Sequence, residues 1–474
     1  MTIPSLPQRF LRSARIVPLG QEGDVLTLGM ADSADTATAD AVALATGLRV
    51  QPVALSDGEI EAALDRLFGG GEPTGGLTDL LAEAAADHEA DTDTLRDLAS
   101  EAPVVRLVNR LIAQAVERRA SDIHVEPFEG ELRIRYRIDG QLVEQEPAAR
   151  AAAAAIVSRL KLMAGLDIAE RRLPQDGRIK LPVRGRDVDF RVATAPSLHG
   201  ESVVLRVLDR SGVTLDFAAL GLAPEQRAAL LRQLDRPNGI VLVTGPTGSG
   251  KTTTLYTALE RLNRPERKLV TVEDPVEYQI AGINQIQVKN EIGLDFAGVL
   301  RSTLRHDPDI IMIGEIRDID TARIAVQAAL TGHLVLSTLH TNSAAATIAR
   351  LVDLGVSDYL IASTLNAVVA QRLVRVLCPD CRESHLLPAA LAMELGLEGQ
   401  PPIFRPKGCQ ACLGTGYRGR VALFEVLEID ETARERMLAR QPVPKAAHSL
   451  SADGLDKVLA GVTSLDEVWA VAER

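Results

Sequence analysis

The run GPTGSGKTT at residues 245–253 constrains this chain more than any other feature, because it fits G-x-x-x-x-G-K-[ST] at every position. Apolar Ile240, Val241, Leu242 and Val243 before it read as a buried strand, and Thr253, Leu255 and Leu259 after it begin a helix. Gly245, Gly248 and Gly250 let the backbone bend so that its N–H groups surround phosphate oxygens at a positive helix end. Lys251 adds a cation and Thr252 a hydroxyl for Mg²⁺. The loop formed by Gly245, Pro246, Thr247, Gly248, Ser249, Gly250, Lys251, Thr252 and Thr253 is therefore the expected ATP site. A glycine turn with a chance lysine is the competing reading, and the flanking strand and helix argue against it.

From about residue 220, buried strands alternate with helices, at 240–243, 269–272, 310–313 and 334–337, which predicts a parallel α/β sheet. Ligands bind such sheets beyond the carboxyl ends of the strands. The second strand is followed by EDPVEY with Glu273, Asp274 and Glu277, the third by Gly314 and Glu315, and the fourth by TLHTN with His340, while His333 opens that fourth strand. In-line attack of water on a γ-phosphate needs a held metal, a carboxylate to orient the water and donors for the transferred charge. A single carboxylate, Glu315, follows the metal strand, so it is expected to serve Mg²⁺ and the base to come from the 273–277 cluster. His340 is either a donor to the γ-phosphate or structural.

The 474 residues predict two to four domains. A net charge of −12 and 3% aromatic residues argue against nucleic acid as the main partner and against a base-stacking platform. No apolar run approaches the roughly 18 residues of a membrane span, so a soluble cytosolic chain is expected, associating with a membrane only through a protein partner or a surface patch. Residues 1–68 read as a small α/β module, with a strand at 25–28 and helical stretches at 36–46 and 60–67. Residues 69–101, opening with GGGEPTGG and then acidic, read as a linker, with an acidic packed helix at 78–100 as the alternative.

A helix is expected over 104–118. After it Leu132, Ile134, Tyr136 and Ile138 alternate with Arg133, Arg135 and Arg137, and Asp139-Gly140 closes a hairpin. The alternation returns at Ile179, Leu181 and Val183 and at Val188, Phe190 and Val192, with a helical segment at 147–165 between the two hairpins. Residues 102–212 thus form a sheet domain of their own. Arg178 and Arg191 fall on the strand faces opposite the apolar residues, so both should project from the sheet.

The four cysteines form two C-x-x-C pairs, Cys378 with Cys381 and Cys409 with Cys412, which suits a structural tetrahedral Zn²⁺ site at about 376–416. Redox chemistry is the competing reading, although nothing near either pair resembles a thioredoxin turn.

GPTGSGKTT, TVEDPVEY, LRHDPDIIMIGEIRD and TGHLVLSTLHTN together resemble the Walker A, Asp-box, Walker B and His-box motifs of the secretion ATPase superfamily, which drives type II secretion and type IV pilus assembly and retraction. The resemblance covers about 103–430 and echoes weakly in residues 1–68. EDPVEYQIAGINQIQV and RRLPQDGRIKL resemble the type II secretion branch more than the pilus assembly branch, and TGYRGRVALFEVL matches members that carry the knuckle. The resemblance implies a homo-hexamer of RecA-like ATPase domains (213–474), each preceded by a PAS-like α+β domain. By match to EDPVE it implies Glu277 as general base, Glu315 on Mg²⁺ and His333 and His340 as nucleotide contacts. It places Arg178 (DGR) and Arg191 (RV) near the γ-phosphate. It also implies a position peripheral to the inner membrane, held by the cytoplasmic domain of a platform protein. Related N-terminal modules in some pilus ATPases bind cyclic di-GMP through arginine- and glycine-bearing repeats that residues 1–68 lack, so docking to a partner is expected of this module. A DNA-translocating hexamer is the remaining alternative.

Overall fold

The computed structural model describes residue 11 and residues 14–31, 35–46, 48–56, 58–60, 63, 102–145, 148–183, 185–208 and 215–472. The expected linker at 69–101, the boundary near 212 and most of the 60–67 stretch lie outside the described residues. The chain divides into two compact units, Met1–Ala90 and Asp91–Arg474.

In the first unit, β1 (Ile16–Glu22), β2 (Val25–Met30), helix α1 (Thr36–Thr46) and β3 (Arg49–Ala54) follow in order. The strands form a sheet of order β1-β2-β3, antiparallel then parallel, which places α1 as the crossover. Leu26, Leu28 and Met30 bury against Val42 and Ile60.

The second unit begins with α2 (Ala102–Glu117), whose Val104, Leu107, Val108 and Ile112 recur at helical spacing and are buried. Then come β4 (Ala120–Pro127), β5 (Glu131–Ile138), β6 (Gln141–Glu144), the two-residue β7 (Ala148–Ala149), α3 (Ala153–Ala164), β8 (Gln175–Val183), β9 (Arg186–Ser197) and β10 (Gly200–Leu208). They make an antiparallel sheet of order β6-β5-β4-β10-β9-β8. Its inner face carries Leu132, Ile134, Tyr136, Phe190 and Val192, and the Tyr136 hydroxyl donates to the Leu111 carbonyl at 2.8 Å, locking α2 to the sheet. Asp139 and Gly140 close the expected hairpin with φ of 48° and 88°, the positive pair a two-residue turn requires. The expected helix over 147–165 is shorter, because Ala148 and Ala149 pair with β5 instead.

The second sheet runs through α4 (Pro224–Leu234), β11 (Gly239–Thr244), α5 (Lys251–Leu262), β12 (Leu269–Glu273), β13 (Asn284–Gln287), α6 (Phe296–Thr303), β14 (Ile310–Ile313), α7 (Ile319–Leu330), β15 (Leu334–Leu339), α8 (Ala344–Asp353), β16 (Leu365–Leu377) and, beyond a small β17–β18 hairpin (Glu383–Leu386 with Pro402–Arg405), β19 (Tyr417–Glu428). Its order is β13-β12-β14-β15-β11-β16-β19, parallel throughout except for β19. Leu242, Ile311 and Val335 feed one apolar layer and Val241, Met312 and Leu336 the other, so helices cover both faces and chemistry is left to the edges. Among the described residues no helix is long and apolar enough to cross a membrane.

Candidate active site and metal centre

β11 ends at Thr244 and α5 starts at Lys251, with the glycine-rich loop between them. The loop rests on β16. A Cβ on Gly245 would lie 2.4 Å from the Gln371 carbonyl oxygen, and one on Gly250, whose φ is +88°, 2.8 Å from the Gln371 amide nitrogen. Lys251 folds back to donate to the carbonyls of Gly245 at 2.8 Å and Pro246 at 3.0 Å. Burial pulls its ammonium down to about 8, with the Glu315 carboxylate opposing and the Arg372 guanidinium adding. Buried Ser249 Oγ finds no hydrogen-bond partner among the described residues, and Thr252 is exposed at the first turn of α5. A groove of about 990 Å³ lined by Pro246, Asn342, Ser343, Arg372 and Glu425 opens beside the loop. A bent cradle of amides, an orphaned hydroxyl and a partly desolvated cation fit a phosphate chain, and Thr252 with Glu315 would hold its Mg²⁺.

The carboxyl ends of β12, β14 and β15 converge beside this loop, as the parallel register requires. Glu315 is mostly buried, pairs with Arg317 and lies 3.3 Å from His340 Nε2. Glu273 is 3% exposed, accepts from the Tyr256 hydroxyl, from Thr271 Oγ1 at 2.5 Å and from Gln285 Nε2 at 3.2 Å, and burial raises its carboxyl. Glu277, four residues on, is half-buried and its carboxylate receives no side-chain donor among the described residues.

His333 is a correction. It precedes β15 at the amino end of the strand, where its carbonyl accepts from Gly239 N at 3.1 Å and its Nδ1 lies 2.9 Å from the Ala328 carbonyl. Six strand residues at roughly 3.3 Å each put about 20 Å between it and the phosphate-loop edge. Within one chain it does not join the cluster, because a parallel strand enters on the edge opposite its chemistry.

Arg178 and Arg191 stand directly opposite each other on β8 and β9, away from the core face. The register adds a residue that the sequence reading missed, since Arg206 on β10 pairs with Arg191 in the same row and ion-pairs with Asp122 at 3.0 Å. The alternation of Val203 and Leu205 inward with Arg206 outward was its signal. No ion pair reaches Arg191 among the described residues. Arg178 Nη2 lies 3.4 Å from Gln287 Oε1, and Gln287 is the register partner of Glu273, so Arg178 hangs at the same edge as the acidic turn. Buried Arg372, also missed, donates to the Asn342 carbonyl at 2.8 Å beside the loop.

Sγ atoms of Cys378, Cys381, Cys409 and Cys412 all lie within 4.8 Å of one another. Three of the separations are 3.9, 3.8 and 3.7 Å. Thiolates about 2.3 Å from a tetrahedral zinc stand about 3.8 Å apart, whereas a disulfide needs about 2.05 Å, so the donor set fits Zn²⁺. Amides of Cys409 and Gly416 each donate to Cys412 Sγ at 3.1 Å, as thiolate ligands require.

Residues 97–470 match the family described as Type II/IV secretion system protein, and residues 1–74 match the MshEN domain. The chain is 50% identical to the Type II secretion system protein E of Xanthomonas campestris pv. campestris, over 99% of this chain and 85% of that one. It is 44% identical to the Type IV pilus assembly ATPase PilB of Myxococcus xanthus, over 98% and 86%. Among solved structures, the pilus retraction motor PilT with bound ADP matches at 25% identity and TM-score 0.52, over 77% of this chain and 97% of that one. The Legionella pneumophila ATPase DotB, at 23% identity and TM-score 0.56 over 77% of this chain and 95% of that one, resembles it in fold.

Proposed function

Because the chain belongs to the type II/IV secretion system protein family, we propose that it is the hexameric ATPase whose hydrolysis of ATP powers pseudopilus growth and protein export by type II secretion. The observation that carries this reading is the convergence of Lys251, Glu315, Glu277 and His340 at one edge of a single sheet. In it the loop amides, Ser249 and Lys251 hold the phosphate chain, and Thr252 and Glu315 hold the metal. Bound Mg²⁺ neutralises charge on the phosphate oxygens. Glu277 takes a proton from the attacking water while His340 donates to the transferred group. Arg178 and Arg191 add cations from the PAS-like sheet domain, so closing that domain on the motor completes the site and hydrolysis changes the angle between them. The Cys₄ knuckle carries structural zinc. The N-terminal module docks the hexamer to the cytoplasmic domain of an inner-membrane platform protein, which keeps an otherwise cytoplasmic enzyme at the membrane.

The 44% identity to PilB favours a second reading as a pilus extension motor of the same chemistry. Expression in two strains, one lacking its type II secretion ATPase and one lacking its pilus ATPase, separates them. Restored export supports the first reading and restored pili the second. Stimulation of hydrolysis by DNA would overturn both.

A further inference from the structure

Tyr256 lies on α5, five residues beyond Lys251, and is fully buried. Its hydroxyl donates to Glu273 Oε2 and accepts from the Glu277 amide at 3.4 Å, so one oxygen atom bridges the phosphate-loop helix to both ends of the acidic turn. The other Glu273 oxygen is taken by Thr271 and Gln285. Gln285 pins the far side of the same turn, accepting from Ile280 N at 2.7 Å and donating to the Tyr278 carbonyl at 3.1 Å. The Tyr278 ring stands edge-on to that of Tyr256, with 4.5 Å between centroids.

With both oxygens engaged by three protein donors and only 3% exposure, Glu273 is shut away from an attacking water, whereas the Glu277 carboxylate receives no side-chain donor among the described residues. Resting on the ATPase reading above, we infer that Tyr256 is a positioning residue for hydrolysis. Its hydroxyl ties the 273–277 turn to the phosphate-loop helix, making Glu273 the anchor and Glu277 the base. A shift at the phosphates is then carried along α5 to the group that orients the water, without passing through solvent.

Steady-state ATP hydrolysis by the full chain tests this, with each variant assayed well below its own melting temperature. Tyr256→Phe keeps the ring packing and removes the hydroxyl. It is expected to lower kcat about tenfold while KM for ATP stays within about twofold, the split produced by a misplaced catalytic group. Glu273→Gln should lose less turnover than Glu277→Gln, and the Tyr256→Phe/Glu273→Gln double variant should be no slower than the slower single one, since both cut one link. Gln285→Met unpins the same turn from the more accessible β13 and should show the same kcat split if the buried substitution does not fold. Wild-type kcat in folded Tyr256→Phe would reduce the tyrosine to packing, and a Glu273→Gln defect as deep as that of Glu277→Gln would make Glu273 the base. Either result overturns the inference. Hydrolysis by the wild type tests the ATPase reading separately from these ratios.

Discussion

In the parallel sheet, β11, β12, β14 and β15 are buried along their whole length, and the groups aimed at the nucleotide stand beyond the strand ends. In the antiparallel sheet one face is open, and Arg178, Arg191 and Arg206 stand in mid-strand across three neighbours. The first sheet can present chemistry only at an edge fixed by connectivity, and the second presents it as a surface that a domain rotation can bring up or withdraw. In the proposed mechanism, binding groups sit on the rigid element and charge-completing groups on the one that rotates.

If the edge is where the chemistry resides, the largest losses should come from it. Lys251→Ala should abolish hydrolysis and weaken ATP binding, since it removes the cation fixed among the loop amides. Glu277→Gln should leave binding nearly intact and cut turnover by roughly a hundredfold or more. Equal turnover of this variant and wild type would move the base to Glu273 or Glu315.

The movable face predicts a different signature. Arg191→Ala should depress turnover strongly without changing the fold of the monomer, as loss of a transition-state cation does. Mixing Arg191→Ala chains with Lys251→Ala chains shows which chain each arginine serves. Recovery of activity means an arginine lent between subunits, and none despite proven mixing places it in its own chain, where Arg178 already reaches the Gln287 edge.

The knuckle is a control belonging to neither sheet's chemistry. Metal analysis should find one zinc per chain, and Cys378→Ser should lower the melting temperature while leaving nucleotide affinity unchanged. Absence of zinc in reduced protein overturns the metal assignment.

The smallest effect is a proton count. Free Lys251 titrates near 8 because burial disfavours its charge, and phosphate oxygens favour that charge, so ATP raises its pKa. Binding should take up protons near pH 8, and affinity should fall as pH rises through that value while the free lysine loses its charge. Calorimetry in buffers of different ionisation enthalpy should show this uptake in wild type and lose it in Lys251→Ala, to the extent that residual binding permits the measurement.

How much of this was legible in the sequence follows the same division. Strands at 240–243, 269–272, 310–313 and 334–337 were readable because strands covered on both faces are continuously apolar, and β5 because a half-covered strand alternates. His333, read from the sequence as opening the fourth strand, stands at the edge away from the loop, and only the family resemblance had set it at the nucleotide. β16 was missed since Asn366, Gln371 and Arg372 interrupt its apolar run, each buried for a tertiary reason: Asn366 donates to the Asn238 carbonyl at the start of β11, Gln371 floors the glycine loop and Arg372 flanks the His-box turn. Tyr256 read as one more apolar position of a helix, and its partner Glu273, 17 residues away, becomes its neighbour only when β12 is laid beside α5.

The seating of the glycine loop on β16 limits which sequences can carry this site. Gly239, Gly245 and Gly250 each face a β16 residue so closely that a Cβ would meet it at 2.2, 2.4 and 2.8 Å, and all three have positive φ. Shortening Asn366 or Gln371 relieves the side-chain contact at Gly239 or Gly250 but leaves the backbone conformation unfavourable, and at Gly245 the contact is with the Gln371 carbonyl oxygen, which no side-chain change removes. In a saturation library these three positions should tolerate no single replacement and no pairwise rescue with 366 or 371. Gly248 also has positive φ, +80°, but its Cβ would meet nothing within 4 Å, so it should accept asparagine.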